Sequence, residues 1–119
     1  PEVSPAYVLD LATIRRNCEI LAGVKLQSGC KIAHALKAFA VPQTFPLLRG
    51  TLDGCCASGL WEARLAHEFF GGSLLTCGPA YPDTDDELLD LSSHLDFNSL
   101  SQWERWRERA TSHPRFQSG

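Results

Sequence analysis

The sequence lacks an excess of basic residues and a long apolar run. Its 119 residues carry a formal net charge of −3, which gives no basis for predicting nucleic-acid binding. No apolar run approaches the roughly 20 residues of a membrane span. No segment combines the basic start and apolar centre of a signal peptide. We therefore expect a cytoplasmic protein that binds neither nucleic acid nor a membrane.

The cysteines also lack a recognisable pattern. Five cysteines at irregular spacing are a poor disulfide framework. There is no CxxC and no HxxxH pair, so no zinc or other metal site is predicted. Cys55 and Cys56 are adjacent and would point to opposite faces of a strand. We predict buried free thiols in a reducing compartment.

Strand and helix patterns alternate along the chain. Hydrophobic residues make up 44% of the sequence, which is enough for a core, and the length corresponds to one domain or a part of one. Short apolar segments are followed by segments with apolar residues at helical spacing. The predicted strands cover residues 5–9, 31–36, 53–57, 73–77 and 95–98. The first three predicted helices cover residues 11–28, 41–52 and 60–70. A fourth helix is capped by Asp83 or Thr84, and a fifth is capped by Ser99 or Ser101 and ends near Ala110.

Local signals predict where several helices begin and end. Asp10 is expected to cap the first helix, and Gly29 to end it. Pro46 should shorten or kink the second helix. Residues 111–119 are predicted to form a loop, because they contain proline and glycine and lack a periodic apolar pattern.

The last four strands begin about 20–22 residues apart. A leucine-rich solenoid can show such a period, but its LxxLxL consensus is absent. Alternating strands and helices predict a parallel sheet with right-handed crossovers. The candidates are a doubly wound sheet and part of a (β/α)8 barrel.

Two features favour the barrel. No glycine-rich dinucleotide fingerprint follows the first strand, and polar or unusual residues come just after strand ends, at Lys37, Ser58–Gly59, Gly78–Tyr81 and Asn98–Ser99. Four units would leave two unpaired sheet edges. We therefore predict an α/β fold that is the N-terminal half of a (β/α)8 TIM barrel, with about four parallel βα units, in an N-terminal fragment of a longer protein.

Lys37 ends an apolar strand and has no acidic neighbour in sequence. Desolvation would lower the pKa of its amine, and a neutral amine can attack a carbonyl to form a Schiff base. A strand whose last side chain reaches solvent would show the same local pattern. Lys37 is thus a candidate catalytic residue whose role depends on the rest of the chain.

Four stretches resemble one family of enzymes. They are SPAYVLD at 4–10, ALKAFA at 35–40, GLWEARL at 59–65 and FNSLSQWER at 97–105. Their order and spacing resemble the carboxynorspermidine branch of the fold-type III pyridoxal-phosphate decarboxylases, and the similarity spans nearly the whole chain. The stretch through Asn98 and Gln102 is particular to that branch, whereas the lysine strand alone would indicate only the wider superfamily, which includes alanine racemase.

The resemblance implies a cofactor, a substrate and a set of site residues. Lys37 matches the lysine that binds pyridoxal 5'-phosphate as an imine, and Ala35, Cys56 and Asn98 fall near the cofactor. The substrate would be a carboxylated polyamine that loses CO2 to become norspermidine or spermidine. Residues 1–10 would contain a strand leading from a second, β-domain, and residues 11–119 a partial cofactor-binding barrel, in a full-length protein that forms a homodimer.

Several roles stay open. For Cys56 a packing role is preferred, for His34 a structural role facing the helices, and for Asn98 a turn or cap role competes with pocket lining. Glu62 and Arg64 are expected on a solvated helix face or as a local pair. The alternatives are a decarboxylase for ornithine, arginine or diaminopimelate or a racemase-like relative, a non-catalytic pyridoxal-phosphate-binding barrel, or an inactive truncated product.

The sequence also departs from the family pattern. Gly59 replaces the family's serine before the Leu-x-Glu segment. The phosphate-binding loop, the acid for the pyridine nitrogen and the carboxylates for the polyamine lie later in such proteins. The 119 residues alone are therefore expected to retain little cofactor and to be inactive.

Overall fold

The computed structural model describes residues 3–116, which form a four-stranded parallel sheet with five α-helices. The strands are β1 (Ala33–Ala35), β2 (Gly54–Ala57), β3 (Ser73–Cys77) and β4 (His94–Asp96). The helices are α1 (Leu11–Ser28), α2 (Phe45–Arg49), α3 (Leu60–Leu65), α4 (Glu87–Leu91) and α5 (Leu100–Ser112). A 3-10 turn at Pro42–Thr44 precedes α2, a π-helical segment at Ala66–Phe70 extends α3, and a 3-10 turn at Pro114–Phe116 follows α5.

The strands lie in the order in which they occur in the chain, β1-β2-β3-β4, and each pair of neighbours is parallel. This order requires every crossover to run in the same direction, which puts the connecting helices on one face of the sheet. A doubly wound sheet would reverse direction at a switch point. The predicted α/β class with four parallel βα units is confirmed.

The two faces of the sheet differ because side chains alternate along a strand. On the helix-covered face, Cys55, Leu74 and Thr76 are buried. On the other face, Ser73 and Cys77 are exposed. We call this second face the open face. The largest fully buried side chains include Trp106, Phe45, Phe70, Leu36 and Leu88, so the core lies between the sheet and the helices.

The predicted strand at residues 5–9 does not form. Residues 6–10 have no regular structure, and Tyr7 and Val8 are 103% and 79% exposed. A strand needs a hydrogen-bonded neighbour, and no part of residues 3–116 pairs with this segment. Whether it leads from a second domain stays a prediction, and residues 1 and 2 lie outside the described range.

The helix-end predictions are partly confirmed. Asp10 caps α1, with Oδ1 accepting a hydrogen bond from the Thr13 N–H at 3.0 Å, and Gly29 ends α1 with φ 70°. Pro46 lies in the first turn of α2, which is shortened to five residues.

The predicted cap at Asp83 or Thr84 is wrong, because α4 begins after Asp86. Asp83 instead lies 3.5 Å from Arg105 in an ion pair with α5. The loop expected from residue 111 is also partly wrong, since α5 continues to Ser112, and residues 117–119 lie outside the described range. Within residues 3–116, no helix is both long and apolar enough to cross a membrane.

Candidate functional site

The carboxyl ends of the four strands lie at one edge of the sheet. Because the strands are parallel and in sequential order, the residues that follow them meet there: Lys37, Ser58, Gly78 and Asn98. Enzymes built on parallel βα units place their active sites at this edge. We call it the candidate site.

Lys37 lies in a turn two residues after β1. The N–H of Leu36 donates to Cys56 O at 3.1 Å, and the turn closes where the Ala38 N–H donates to Ala35 O at 3.1 Å. The Lys37 side chain is exposed and forms no hydrogen bond or ion pair with any residue in 3–116. Of the two interpretations of the local pattern, the structure shows the one in which the last side chain of the segment reaches solvent.

Ala35 and Cys56 are directly opposite one another on β1 and β2. Both are half-buried on the open face, whereas Cys55 faces the helices. Burial raises the pKa of the Cys56 thiol, Cys77 raises it further, and Lys37 opposes this by lowering it. Cys56 is thus a neutral, small side chain close enough to Lys37 for the two to interact electrostatically, which agrees with the packing role preferred for it.

Asn98 lies between β4 and α5 and is exposed. Its N–H donates to Gln102 Oε1 at 2.9 Å, and Ser99 Oγ accepts from the Gln102 N–H at 3.2 Å. These two bonds satisfy backbone groups at the start of α5 much as a capping box does, except that Gln102 accepts from the N–H of the residue before the N-cap. The backbone of Asn98 therefore has a capping role, and its side-chain amide forms no hydrogen bond within residues 3–116.

One of these two bonds has a counterpart at the end of β2, where the N-cap of α3 is Gly59 and has no side chain to accept the other. The Ser58 N–H donates to Glu62 Oε2 at 2.7 Å, as the Asn98 N–H does to Gln102. Glu62 is half-buried, so the solvated face expected for it is wrong. Arg64 is not its partner either, because Arg64 Nε lies 2.8 Å from Glu87 Oε1.

Two residues at this edge, Cys77 and Asp96, were missed from the sequence, whereas Tyr81 was expected in the loop after β3 but without a role. A shallow depression beside β4 is lined by Cys77, Asp96, Asn98 and their neighbours. Strand alternation could have indicated Asp96, since it lies two residues before Asn98 on the same face. Cys77 and Cys30 are exposed free thiols, so the prediction that all the cysteines are buried is wrong.

His34 lies on the helix-covered face of β1. Its Nε2 is 2.6 Å from Phe39 O, and its ring lies 6.1–6.2 Å from those of Phe39, Phe45 and Phe70. These contacts agree with the structural role expected for His34.

The chain is similar in sequence to several decarboxylases. It is 39% identical over 107 residues to a carboxynorspermidine/carboxyspermidine decarboxylase of Campylobacter jejuni, covering 89% of this chain and 28% of that protein. It is 42% identical over 106 residues to a carboxyaminopropylagmatine decarboxylase of Synechocystis, covering 88% of this chain and 27% of that protein. A carboxynorspermidine/carboxyspermidine decarboxylase of Herminiimonas arsenicoxydans is 34% identical over 113 residues, or 94% of this chain and 31% of the relative.

The solved structures include the carboxynorspermidine decarboxylase of Campylobacter jejuni in complex with norspermidine. It superimposes on this chain with a TM-score of 0.88 at 39% identity, over 92% of this chain and 30% of that one. This chain is related to the carboxynorspermidine decarboxylases. No protein-family model matches it.

The relationship confirms the resemblance seen in the sequence and identifies the four-stranded sheet as a partial barrel. The chain spans less than a third of the length of each carboxynorspermidine decarboxylase relative that it matches. The exposure of the open face is consistent with a partial barrel, because the inner face of a barrel is covered only when all its strands are present.

Proposed function

We propose that this chain supplies the lysine-bearing part of a pyridoxal-phosphate-dependent decarboxylase that acts on a carboxylated polyamine. The observation that carries the proposal is Lys37, an exposed amine without a partner in residues 3–116, at the carboxyl edge of a parallel sheet. The decarboxylase names of the relatives support the reaction type.

The residues present fit one end of the cofactor. Lys37 offers the amine that can bind its aldehyde carbon, and the small side chains of Ala35 and Cys56 lie opposite one another on the open face near the same edge. When bound, pyridoxal phosphate supplies an electron sink for the electrons released as CO2 departs. The accessible Asn98 amide can donate to or accept from a ligand at the same edge.

The phosphate end of the cofactor is not explained by these residues. Cys77, Asp96 and Asn98 carry no positive charge, and Asp96 would repel a phosphate. We infer that phosphate binding and the reading of the substrate need parts that the relatives have beyond the matched share. The lysine-bearing segment by itself is therefore expected to bind the cofactor weakly.

The names of the relatives favour polyamine substrates over simple amino acids. One is a carboxynorspermidine/carboxyspermidine decarboxylase and another a carboxyaminopropylagmatine decarboxylase. Both substrates join an amino-acid end to a chain that bears cationic groups. We propose carboxynorspermidine or carboxyspermidine as substrate, giving norspermidine or spermidine, with carboxyaminopropylagmatine as the second candidate. A cytoplasmic homodimer is proposed for the full-length protein, by analogy with the family.

The test uses the full-length gene product that contains this chain. We expect pyridoxal phosphate to produce the absorption band of a lysine-bound cofactor, and Lys37→Ala and Lys37→Arg to abolish it, since arginine keeps the charge but cannot form the imine. Lys31→Ala, which removes an exposed lysine from the other end of β1, is the matched control and should keep the band. A band that survives in Lys37→Ala would refute the proposal.

The substrate is tested by CO2 release. The wild-type protein should decarboxylate carboxynorspermidine, carboxyspermidine or carboxyaminopropylagmatine faster than ornithine, arginine or diaminopimelate. A preference for any of the last three would replace the proposed substrate class. An intact band without CO2 release from any of them would favour a non-catalytic cofactor-binding protein.

A further inference from the structure

Tyr81 is a buried tyrosine in the loop between β3 and α4. It is 4% exposed, and its ring packs edge-on against Trp106 at 5.8 Å and Phe97 at 6.2 Å. A buried hydroxyl must find hydrogen-bond partners, since an unpaired one costs free energy. The partners of this hydroxyl are all backbone atoms at the carboxyl edge of the sheet.

The Tyr81 hydroxyl connects two strand ends and one loop. It accepts a hydrogen bond from the Gly78 N–H at 2.8 Å and lies 2.7 Å from Asp96 O and 3.1 Å from Thr76 O. A hydroxyl has one proton to donate, so the shorter contact places it on Asp96 O. The group therefore holds the end of β4 to the loop that follows β3.

The connection extends to β2 by close packing. A Cβ at Gly78 would lie 2.6 Å from Ser58 O and 3.0 Å from the Tyr81 ring. No side chain fits there, so the β3–α4 loop lies directly against the residue that follows β2. The Tyr81 hydroxyl thus joins the ends of β3 and β4, and the end of β2 lies against the same loop at Gly78.

The bonds to Tyr81 do not depend on pH in the usual range. Burial raises the pKa of the Tyr81 hydroxyl above its usual value of 10.0, which keeps the group protonated and able to donate. The hydroxyl does not touch the Lys37 amine, so it would act through the backbone.

We propose that the Tyr81 hydroxyl is a positioning group that fixes the β3–α4 loop and the end of β4 at the candidate site, and with them Cys77, Asp96 and Asn98. This inference rests on the proposed function in one respect, namely that pyridoxal phosphate is the ligand of the candidate site. Removal of the hydroxyl should loosen both segments and weaken cofactor binding while the aromatic ring still fills the core.

The experiment compares Tyr81→Phe with Thr76→Val in the full-length gene product. Thr76 Oγ1 lies 2.8 Å from Ser92 Oγ in a buried contact on the helix-covered face. Thr76→Val therefore deletes one buried hydrogen bond at the residue before Cys77. It leaves the side chains of the open face unchanged. If Tyr81 only stabilises the fold, both variants should change amide exchange and cofactor binding alike. The comparison is made after correction for any difference between their thermal unfolding midpoints.

Two readouts are measured. Backbone amide exchange in the cofactor-free protein should rise in the peptides that cover residues 77–82 and 96–99 in Tyr81→Phe, and not in Thr76→Val. Titration with pyridoxal phosphate, followed by its absorption band, should show binding about five- to tenfold weaker in Tyr81→Phe, and within about twofold of wild type in Thr76→Val.

Each outcome decides the proposal. Faster exchange together with weaker cofactor binding, confined to Tyr81→Phe, supports it. Unchanged exchange, unchanged cofactor binding, or equal effects in both variants would overturn it. A wild-type protein without a cofactor band would refute the proposed function instead, and amide exchange would then decide by itself whether Tyr81 fixes the two segments.

Discussion

Lys25 Nζ donates a hydrogen bond to Asp53 Oδ1 at 2.8 Å, which joins the C-terminal end of α1 to the residue before β2. The same amine donates to Thr51 O at 2.7 Å, and Asp53 Oδ2 accepts from the Ile32 N–H at 2.7 Å. Cys18 is the one fully buried residue of α1, with Ile14 and Leu21 partly buried against the core, and these bonds add a polar attachment to that apolar contact. They lie at the amino edge of the sheet, opposite the candidate site.

Asp53→Asn is therefore expected to lower stability without changing the site. The amide keeps the size of the side chain but loses the ion pair with Lys25, so the thermal unfolding midpoint should fall by a few degrees. The cofactor absorption band should be unaffected. Asp83→Asn, which loses a 3.5 Å ion pair on the surface, is the control and should change the midpoint less. An Asp53→Asn midpoint equal to that of wild type would contradict the prediction.

The same carboxylate predicts a pH dependence. The hydrogen bond from Lys25, and then that from the Ile32 N–H, hold the pKa of Asp53 below its usual value of 3.8. A carboxyl with a lowered pKa in the folded state stabilises the protein above the unfolded-state value, and this contribution is lost as the pH falls through the folded-state value. The difference in unfolding free energy between wild type and Asp53→Asn should be constant from about pH 5 to 7 and shrink below about pH 4. Urea titrations at each pH would measure this free-energy difference. A difference that grows as the pH falls would contradict the prediction.

Gly59→Ser should stabilise the protein. Gly59 is the N-cap of α3 and has an extended backbone with φ 174°. A Cβ added to it would have no atom within 4 Å, so a serine side chain can enter freely. Its hydroxyl could cap α3 as Ser99 caps α5. We expect a gain of about 0.5–1 kcal/mol in unfolding free energy.

Gly29→Ser is the matched control for Gly59→Ser. Gly29 also has open space around it, but its φ of 70° disfavours any side chain. A loss of about 1 kcal/mol is expected. Chemical denaturation of both variants checks the pair, and effects of the same sign would disprove the argument from backbone conformation.

Gly54→Ala and Gly23→Ala should act in opposite directions. A Cβ at Gly54 would lie 1.8 Å from Ser73 O, so alanine would force β2 and β3 apart, at a cost of more than about 3 kcal/mol. Gly23 lies within α1 with nothing within 4 Å, and alanine there should stabilise by about 1 kcal/mol through its helix propensity. Soluble yield and unfolding midpoints would separate the two variants. A Gly54→Ala protein as stable as wild type would show that the close approach of β2 and β3 at Gly54 is not needed for folding.

The succession of strands and helices could be predicted because each element carries a local signal. Asp10 and Gly29 mark the two ends of α1 by chemistry that needs no distant partner. The strand predicted at residues 5–9 has a suitable composition but forms no ladder, because a strand exists only with a neighbour. Asp83 looked like a cap, yet its partner Arg105 lies on a later helix.

The candidate site was predicted in part. Lys37 and Asn98 could be singled out because each follows or ends an apolar strand, and Cys56 because of the resemblance to related decarboxylases. Tyr81 could be placed in the loop after a strand, but not its role, since nothing in its local sequence shows that its hydroxyl reaches the ends of two strands.

For the candidate site, the sequence by itself determined which residues follow the strands and that Lys37 is among them, because strand and helix periodicity is a property of neighbouring residues. Only the tertiary structure decided that the Lys37 amine is exposed, that Cys56 lies beside it, and that Tyr81 holds the edge together. Those facts depend on which backbone and side-chain atoms meet across the sheet, and such distances are not encoded in any one stretch of the chain.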